Sequence, residues 1–364
     1  MKIGVLKETV AGESRVASTP DVVKKLTAKG FQVMLESGAG DAAHFTDAEY
    51  KSVGATVVDR QTALGCDIVV KVRKIDQADI DQLSDSTILI SLIEICEDDG
   101  TLQALFDRQI RMIALERIPR ISRAQSMDVL SSQSNIAGYR AVIEAAAHYG
   151  RFLPLMMTSA GSAKPARVVV LGVGVAGLQA IATARRMGAD VYAYDIRPET
   201  KEQIESLGAK AIELDIGESG SGEGGYAKEL SDEAKAKQQQ MLADELAKAH
   251  VIITTALIPC RPAPTLVTEE VVERMREGSV LVDLAAATGG NCPLTEADQV
   301  VTKHGVTLIG HTNYPAMMPT DSSNFYATNV LNLLNIMVEK GENGLALKDL
   351  DEDEITQAAL VRPE

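Results

Sequence analysis

Residues 168–177 read VVVLGVGVAG, a β-branched apolar run that enters a turn with glycines at positions 172, 174 and 177. Few arrangements constrain a fold so tightly. The apolar run reads as a buried strand, and LQAIATARRMG (178–188) after it reads as a helix. VYAYDIRPE (191–199) then supplies a second strand ending in an acid. In that context the spacing GxGxxG is the fingerprint of a dinucleotide-binding βαβ unit. Gly172 permits the tight turn, Gly174 lets the backbone approach a pyrophosphate, and Gly177 allows helix and strand to pack closely. The phosphates would rest on free N–H groups at the helix N-terminus. Asp195 lies 23 residues beyond Gly172, where a carboxylate accepts ribose hydroxyls and repels a 2′-phosphate. NAD is therefore favoured over NADP, although Arg197 is placed to pair with a 2′-phosphate.

The remainder of the chain repeats the alternation of strand and helix. KIGVL (2–6), FQVMLE (31–36), DIVVKV (67–72), TILISL (87–92) and IRMIA (110–114) read as buried strands. After a long helix over 131–150 the pattern restarts with RVVVL (167–171), VYAYD (191–195), VIITTA (251–256), SVLVDL (279–284) and TLIG (307–310). A second long helix is expected over 322–340, with Phe325, Val330, Leu333, Leu334 and Met337 as its apolar stripe. The expected fold class is α/β, with two Rossmann-like domains whose parallel sheets are linked by long crossover helices and face a cofactor cleft between them. The expected domains are a discontinuous one, 1–130 plus 322–364, and a nucleotide-binding one, 131–321.

Two segments stand outside this rhythm. Residues 217–240 read GESGSGEGGYAKELSDEAKAKQQQ, too polar to form a core element. Such a stretch reads as a mobile loop, either a linker or a lid, and Tyr226 is the residue with which a lid would touch a ligand. The second segment is ERIPRISRAQSMDVLSSQSN (116–135), which gathers Arg, Gln, Asp and Ser beyond the carboxyl end of a strand, where open α/β sheets bind ligands. It reads equally well as a capping loop, with Ser131 or Ser132 as the N-cap of the following helix.

Composition removes other classes. The net charge of −15 disfavours nucleic-acid binding, which depends on neutralising phosphates with Lys and Arg. No run of 18 apolar residues occurs, and MKIGVLKETV is no signal peptide, so residence in the cytoplasm is expected. The four cysteines form no CxxC pair and read as reduced thiols. The five histidines have no metal-ligand spacing, so no metal is expected.

IGVLKETVAGESRVASTP (3–20) and VVVLGVGVAGLQAIATARRMGADVYAYDIRPE (168–199) resemble the two signatures shared by alanine dehydrogenases and the NAD(H)-binding subunit of proton-translocating NAD(P)+ transhydrogenases. The resemblance covers nearly the whole chain. RISRAQSMDVLSSQSNIAGYRAV (120–142), GGYAKEL (224–230) and ITTALIPCRPAP (253–264) resemble the transhydrogenase branch. The resemblance implies that Arg120, Gln125, Asp128 and Ser131, with neighbouring Ser126 and Met127, contact the nicotinamide half of NAD(H). It maps the mobile-loop tyrosine onto Tyr226. Further cofactor contacts carry over to Val175, Ala176, Asp195, Ile196, Arg197, Gly225, Gln238 and Leu257, beside Gly172, Gly174 and Gly177.

Departures from the alanine dehydrogenase pattern separate the branches. Arg15 matches the substrate arginine of those enzymes, but the lysine position reads Arg73, TILISLIEICE (87–97) has no histidine, and the expected aspartate falls on Ala287. Amino-acid oxidation needs a base as hydride leaves, and none is evident. Hydride exchange between two nicotinamides needs only two rings held in register, with water excluded. Arg15 then reads as a structural ion-pair residue.

The resemblance thus implies a subunit that binds NAD(H) and exchanges hydride with NADP(H) on a partner, coupled to proton translocation by membrane subunits. It also implies a homodimer, peripheral on the cytoplasmic face of the inner membrane. The alternatives are a soluble alanine or amino-acid dehydrogenase and an NAD-binding regulatory module.

Overall fold

A computed structural model describes residues 1–96, 100–214, 232–342 and 344–363. The chain divides into two compact units, residues 1–134 with 315–364 and residues 135–314. The boundaries drawn from the sequence lie at 130 and 322.

The first unit opens with strands β1 (Lys2–Val5), β2 (Gln32–Glu36), β3 (Thr56–Val58), β4 (Ile68–Val70), β5 (Ile88–Ser91) and β6 (Arg111–Ala114). All pair in parallel, and β4 and β5 are buried at every residue, as expected where helices cover both faces. The edge strand β3 was not apparent in the sequence, because an edge position leaves none of its residues buried and demands no apolar run.

The second unit contains a hairpin, β7 (Met156–Thr158) and β8 (Gly161–Ala163), where the sequence showed no strand between the long helix and Arg167. Its strands are mostly exposed, so no burial pattern announces them. Then come β9 (Arg167–Leu171), β10 (Asp190–Tyr194), β11 (Lys210–Ala211), β12 (Val251–Thr254), β13 (Val280–Asp283), β14 (Val300–Lys303) and β15 (Val306–Ile309). They form one sheet in the order β11-β10-β9-β12-β13-β15-β14, parallel except for the β14 edge. This is the doubly wound order in which the chain reverses direction across the sheet between β9 and β12.

Returning to the first unit, the chain adds the helix Pro319–Met337, the hairpin β16 (Val338–Gly341) and β17 (Gly344–Leu347), and β18 (Leu360–Val361). β18 lies antiparallel on β6, completing the order β18-β6-β5-β4-β1-β2-β3. Tyr326, Val330, Leu333, Leu334 and Met337 bury one helix face in the core with Ile3, Val5 and Val70. Phe325, expected in that stripe, is 49% exposed, and Tyr326 takes its place.

The long helix expected at 131–150 spans Val129–His148. Of residues 217–240, residues 217–231, with Gly225 and Tyr226, lie outside the described residues. Residues 232–240, expected as loop, begin the helix Asp232–Leu246, because Lys, Gln, Ala and Leu are strong helix formers even without a continuous apolar stripe. Cys66 and Cys292 are buried free thiols, whereas Cys96 and Cys260 are exceptions to the expectation of free thiols. Among the described residues, no helix is long and apolar enough to cross a membrane.

Candidate functional site

β9 runs into the glycine turn, and the helix Val175–Arg186 leaves it. Gly172 has φ +89°, a left-handed conformation that side chains resist. A Cβ on Gly177 would stand 1.9 Å from the Gly172 carbonyl oxygen, so only glycine lets helix and strand approach this closely. A Cβ on Gly174 would meet nothing within 4 Å, which leaves the backbone open where a pyrophosphate would lie. The first N–H groups of the helix have no intrahelical acceptor and point outward with the positive end of the helix dipole. Gly138 in the helix Val129–His148 is equally confined, since its Cβ would fall 2.1 Å from the Ala176 carbonyl oxygen.

Asp195 follows β10 and reaches back to the turn. It accepts the Val173 N–H at 2.7 Å and the Arg197 N–H, Nε and Nη2 at 2.9, 3.0 and 2.9 Å. Burial raises its pKa, but the Arg197 and Val173 hydrogen bonds outweigh burial and hold the carboxyl below the usual range. On the other side of β9, Thr255 follows β12 and donates its hydroxyl to the Gly172 carbonyl at 2.9 Å. Val175, Ile196, Leu257 and Ile258 leave apolar surface exposed on these segments, Ile196 at 84%. A glycine cradle, a helix N-terminus, a ribose-level carboxylate and exposed apolar rims are the parts a dinucleotide needs, and they fit NAD(H).

The Arg120–Ser131 segment belongs to the first unit. Arg120 and Gln125 are both exposed there. The Ser126 carbonyl accepts Asn329 and Asn332 at 2.8 and 3.0 Å. Met127 is buried in the core. Asp128 accepts both the N–H and the hydroxyl of Ser131, at 2.8 and 2.6 Å. Asp128, rather than Ser131 or Ser132, therefore caps the long helix, since a carboxylate satisfies a first-turn N–H at least as well as a hydroxyl.

Arg15 is 4% exposed and held by Glu13 at 2.6 and 2.8 Å and by Gln133 at 2.9 Å. Its donors are committed inside the protein, as expected for a structural ion pair. Nearby in the fold, Lys71 follows β4 fully buried, with Glu8 at 3.4 Å and Asp76 at 3.7 Å. Burial pushes the Glu8 carboxyl up, against the lowering pull of Lys71 and of the Val72 and Arg73 N–H groups. Arg73 pairs with Glu94 at 2.7 Å.

The histidines offer no evident base. The His250 Nδ1 accepts the Arg167 N–H, and burial with three nearby arginines lowers its pKa. His148 and His311 lie 4.0 and 3.8 Å from Glu144. His304 sits 3.2 Å from Glu269 and 3.8 Å from Glu273, an exposed trio that spacing along the sequence did not reveal.

The chain matches the model "Alanine dehydrogenase/PNT, N-terminal domain" over residues 4–137 and the corresponding C-terminal domain over residues 141–362. It belongs to the alanine dehydrogenase/PNT family. Within that family it is 48% identical over 361 residues to a chain of Rhodospirillum rubrum that forms the first portion of an NAD(P) transhydrogenase subunit alpha, covering 97% of this chain and 94% of that one. The solved transhydrogenase of Sinorhizobium meliloti superposes with a TM-score of 0.84 at 42% identity, covering 93% of this chain and 94% of that one. A solved L-alanine dehydrogenase superposes with a TM-score of 0.82 at 28% identity, covering 99% of this chain and 94% of that one. The fold is common to both branches of the family, while the sequence lies nearer the transhydrogenases.

Of the residues singled out in the sequence, Gly172, Gly174, Val175, Ala176, Gly177, Asp195, Ile196, Arg197 and Leu257 lie on the turn or on the segments flanking it. Gln238 donates to the hydroxyl of Tyr194, the residue before Asp195, at 2.9 Å. Sequence reasoning missed Thr255, Asp283 and Asn291, which support the turn from β12 and β13. The polar residues of VDLAAATGGNC were the available signal.

Proposed function

We propose that this chain is the NAD(H)-binding subunit of a proton-translocating transhydrogenase. The reading is carried by the Gly172–Gly177 cradle with Asp195 at ribose level, in a chain whose substrate-arginine position is locked into a buried ion pair. When bound, the nicotinamide supplies or accepts a hydride. The chain's own role is to hold the dinucleotide. The helix Val175–Arg186 faces its phosphates and Asp195 takes its ribose hydroxyls, while Arg120, Gln125, Asp128, Ser131 and Tyr226 are assigned to its nicotinamide half by resemblance alone. Gly225, Ser126 and Met127 belong to the same contact set by resemblance.

The acceptor is NADP+ on a partner subunit, and membrane-spanning subunits couple the exchange to proton movement at the cytoplasmic face of the inner membrane. Pairing as a homodimer is supported by an exposed apolar strip, Phe152, Leu155, Met156 and Met157, leading into the β7–β8 hairpin.

The test mixes the purified chain with NADH and a purified NADP(H)-binding transhydrogenase subunit and follows hydride transfer optically. Transfer that requires both proteins is expected. Oxidation of alanine with NAD+ by the chain alone would overturn the reading in favour of a dehydrogenase. NADH binding without transfer would leave a regulatory module.

A further inference from the structure

The strongest buried polar network outside the residues assigned to the nucleotide is built on Asp283, the last residue of β13. It is fully buried and has no ion-pair partner among the described residues. Five donors surround its carboxylate instead. Oδ1 accepts the Thr254 hydroxyl and the Ala285 N–H, both at 3.0 Å. Oδ2 accepts the Asn291 and Cys292 N–H groups at 2.7 and 3.1 Å and the Thr295 hydroxyl at 2.9 Å. The chain reaches this geometry through Gly289 and Gly290, at φ +96° and +79°. A Cβ on Gly290 would stand 2.8 Å from Oδ2, so the backbone wraps the carboxylate closely. A buried carboxylate persists only if its hydrogen bonds are made, and here they fix the position of Asn291.

Asn291, also fully buried, spends its whole amide on one loop. Its Oδ1 accepts the Ala256 N–H at 3.1 Å, and its Nδ2 donates to the carbonyls of Ala256 and Pro264, both at 2.8 Å. It grips both ends of 256–264, the loop that carries exposed Leu257 and Ile258. The residue before that loop, Thr255, is bonded to the Gly172 carbonyl, and its Oγ1 would lie 2.6 Å from a Cβ on Gly172. One continuous path of hydrogen bonds therefore runs from Asp283 through Asn291 and the 255–264 segment to the glycine turn.

We propose that Asn291, held by Asp283, is a positioning residue of the nucleotide site. It sets the spacing between the 255–264 rim and the glycine turn, and so sets affinity for the adenosine and pyrophosphate moieties of the ligand without touching them. The proposal rests on the NAD(H)-binding reading. A loop released from its grip must be ordered again at each binding event, and that cost appears in the dissociation constant.

The test measures dissociation constants for NADH and ADP-ribose by titration calorimetry, well below the melting temperature of each variant. Asn291→Ala is expected to weaken both ligands by about tenfold, and Thr255→Val, which keeps side-chain shape and loses the hydroxyl shared by the Leu171 and Gly172 carbonyls, by about threefold. Equal loss for ADP-ribose places the effect on the rim rather than on the nicotinamide half. A purely structural role would lower melting temperature and leave the dissociation constants of the folded protein unchanged, which would overturn the proposal. If Asn291→Ala does not fold, wild-type affinity in Thr255→Val overturns it. Failure of the wild-type chain to bind either ligand would instead remove the NAD(H) reading beneath it.

Discussion

Arg197 closes on Asp195 with Nε and Nη2 at 3.0 and 2.9 Å, so the guanidinium that a 2′-phosphate would seek is already paired with a carboxylate. The Arg197 side chain is half exposed, whereas that of Asp195 is nearly buried. Removing the carboxylate would free a cation at ribose level. Asp195→Ala is expected to weaken NADH by about tenfold and to raise the preference for NADPH relative to NADH, read from the two dissociation constants. An unchanged ratio would show that Arg197 does not face the 2′ position.

The same pair makes stability sensitive to acid. The folded-state pKa of Asp195 is depressed, so its stabilising contribution is complete above the unfolded value of about 3.9 and is lost as pH falls through the lower folded value. Thermal melts of wild type and Asp195→Asn should differ most above pH 4 and converge below it. A constant difference across the range would exclude this linkage.

Gly138 inverts the usual rule for helix glycines. Replacing a mid-helix glycine by alanine normally gains about 1 kcal/mol. Here the new Cβ would meet the Ala176 carbonyl at 2.1 Å, so Gly138→Ala is expected to cost about 1–3 kcal/mol in chemical denaturation. A stabilised variant would mean that the two helices can part without loss.

Gln125 is exposed on a short helical turn (Ser122–Met127), as a group that aligns a ligand rather than the fold should be. Gln125→Asn shortens the side chain by one methylene and keeps its amide. Hydride transfer to the partner subunit is expected to fall at least about tenfold with NADH affinity nearly intact, because misplacement by about 1 Å costs rate before it costs binding. Loss of affinity in proportion would make Gln125 a simple binding residue.

If the apolar strip at the β7–β8 hairpin joins two copies of the chain, Met157→Asp should halve the mass seen by light scattering without lowering secondary structure. Met157 is 75% exposed in the single chain, so the substitution disturbs no core. A wild-type chain that is already monomeric would dispose of the homodimer.

The central strands and the nucleotide turn were legible because a parallel sheet buried on both faces demands uninterrupted apolar runs, and β9, β12 and β13 supply them. The exposed β7–β8 hairpin and the antiparallel edge strand β14 carry no such demand and left no pattern. At the site, the glycines announced themselves by spacing. Asp283 and Asn291 did not, because their roles arise from partners in loops far apart in sequence. Asp128 was legible as a polar group of interest, but its capping of Ser131 depends on a backbone geometry that composition does not specify.

The first unit repeats the doubly wound order, with β1 between β2 and β4, so it too has a point where a ligand would enter between the ends of its strands. The segments after β1 and β4 bring Glu8 and the buried Lys71 together there, with Asp76 as a second acid near the ammonium group. A small acid seeking the ammonium group would have to compete with Glu8 and Asp76, whose carboxyl oxygens lie 3.4 and 3.7 Å from it. At that point the carboxyl groups of the protein itself already stand where a ligand's would have to compete for the ammonium group.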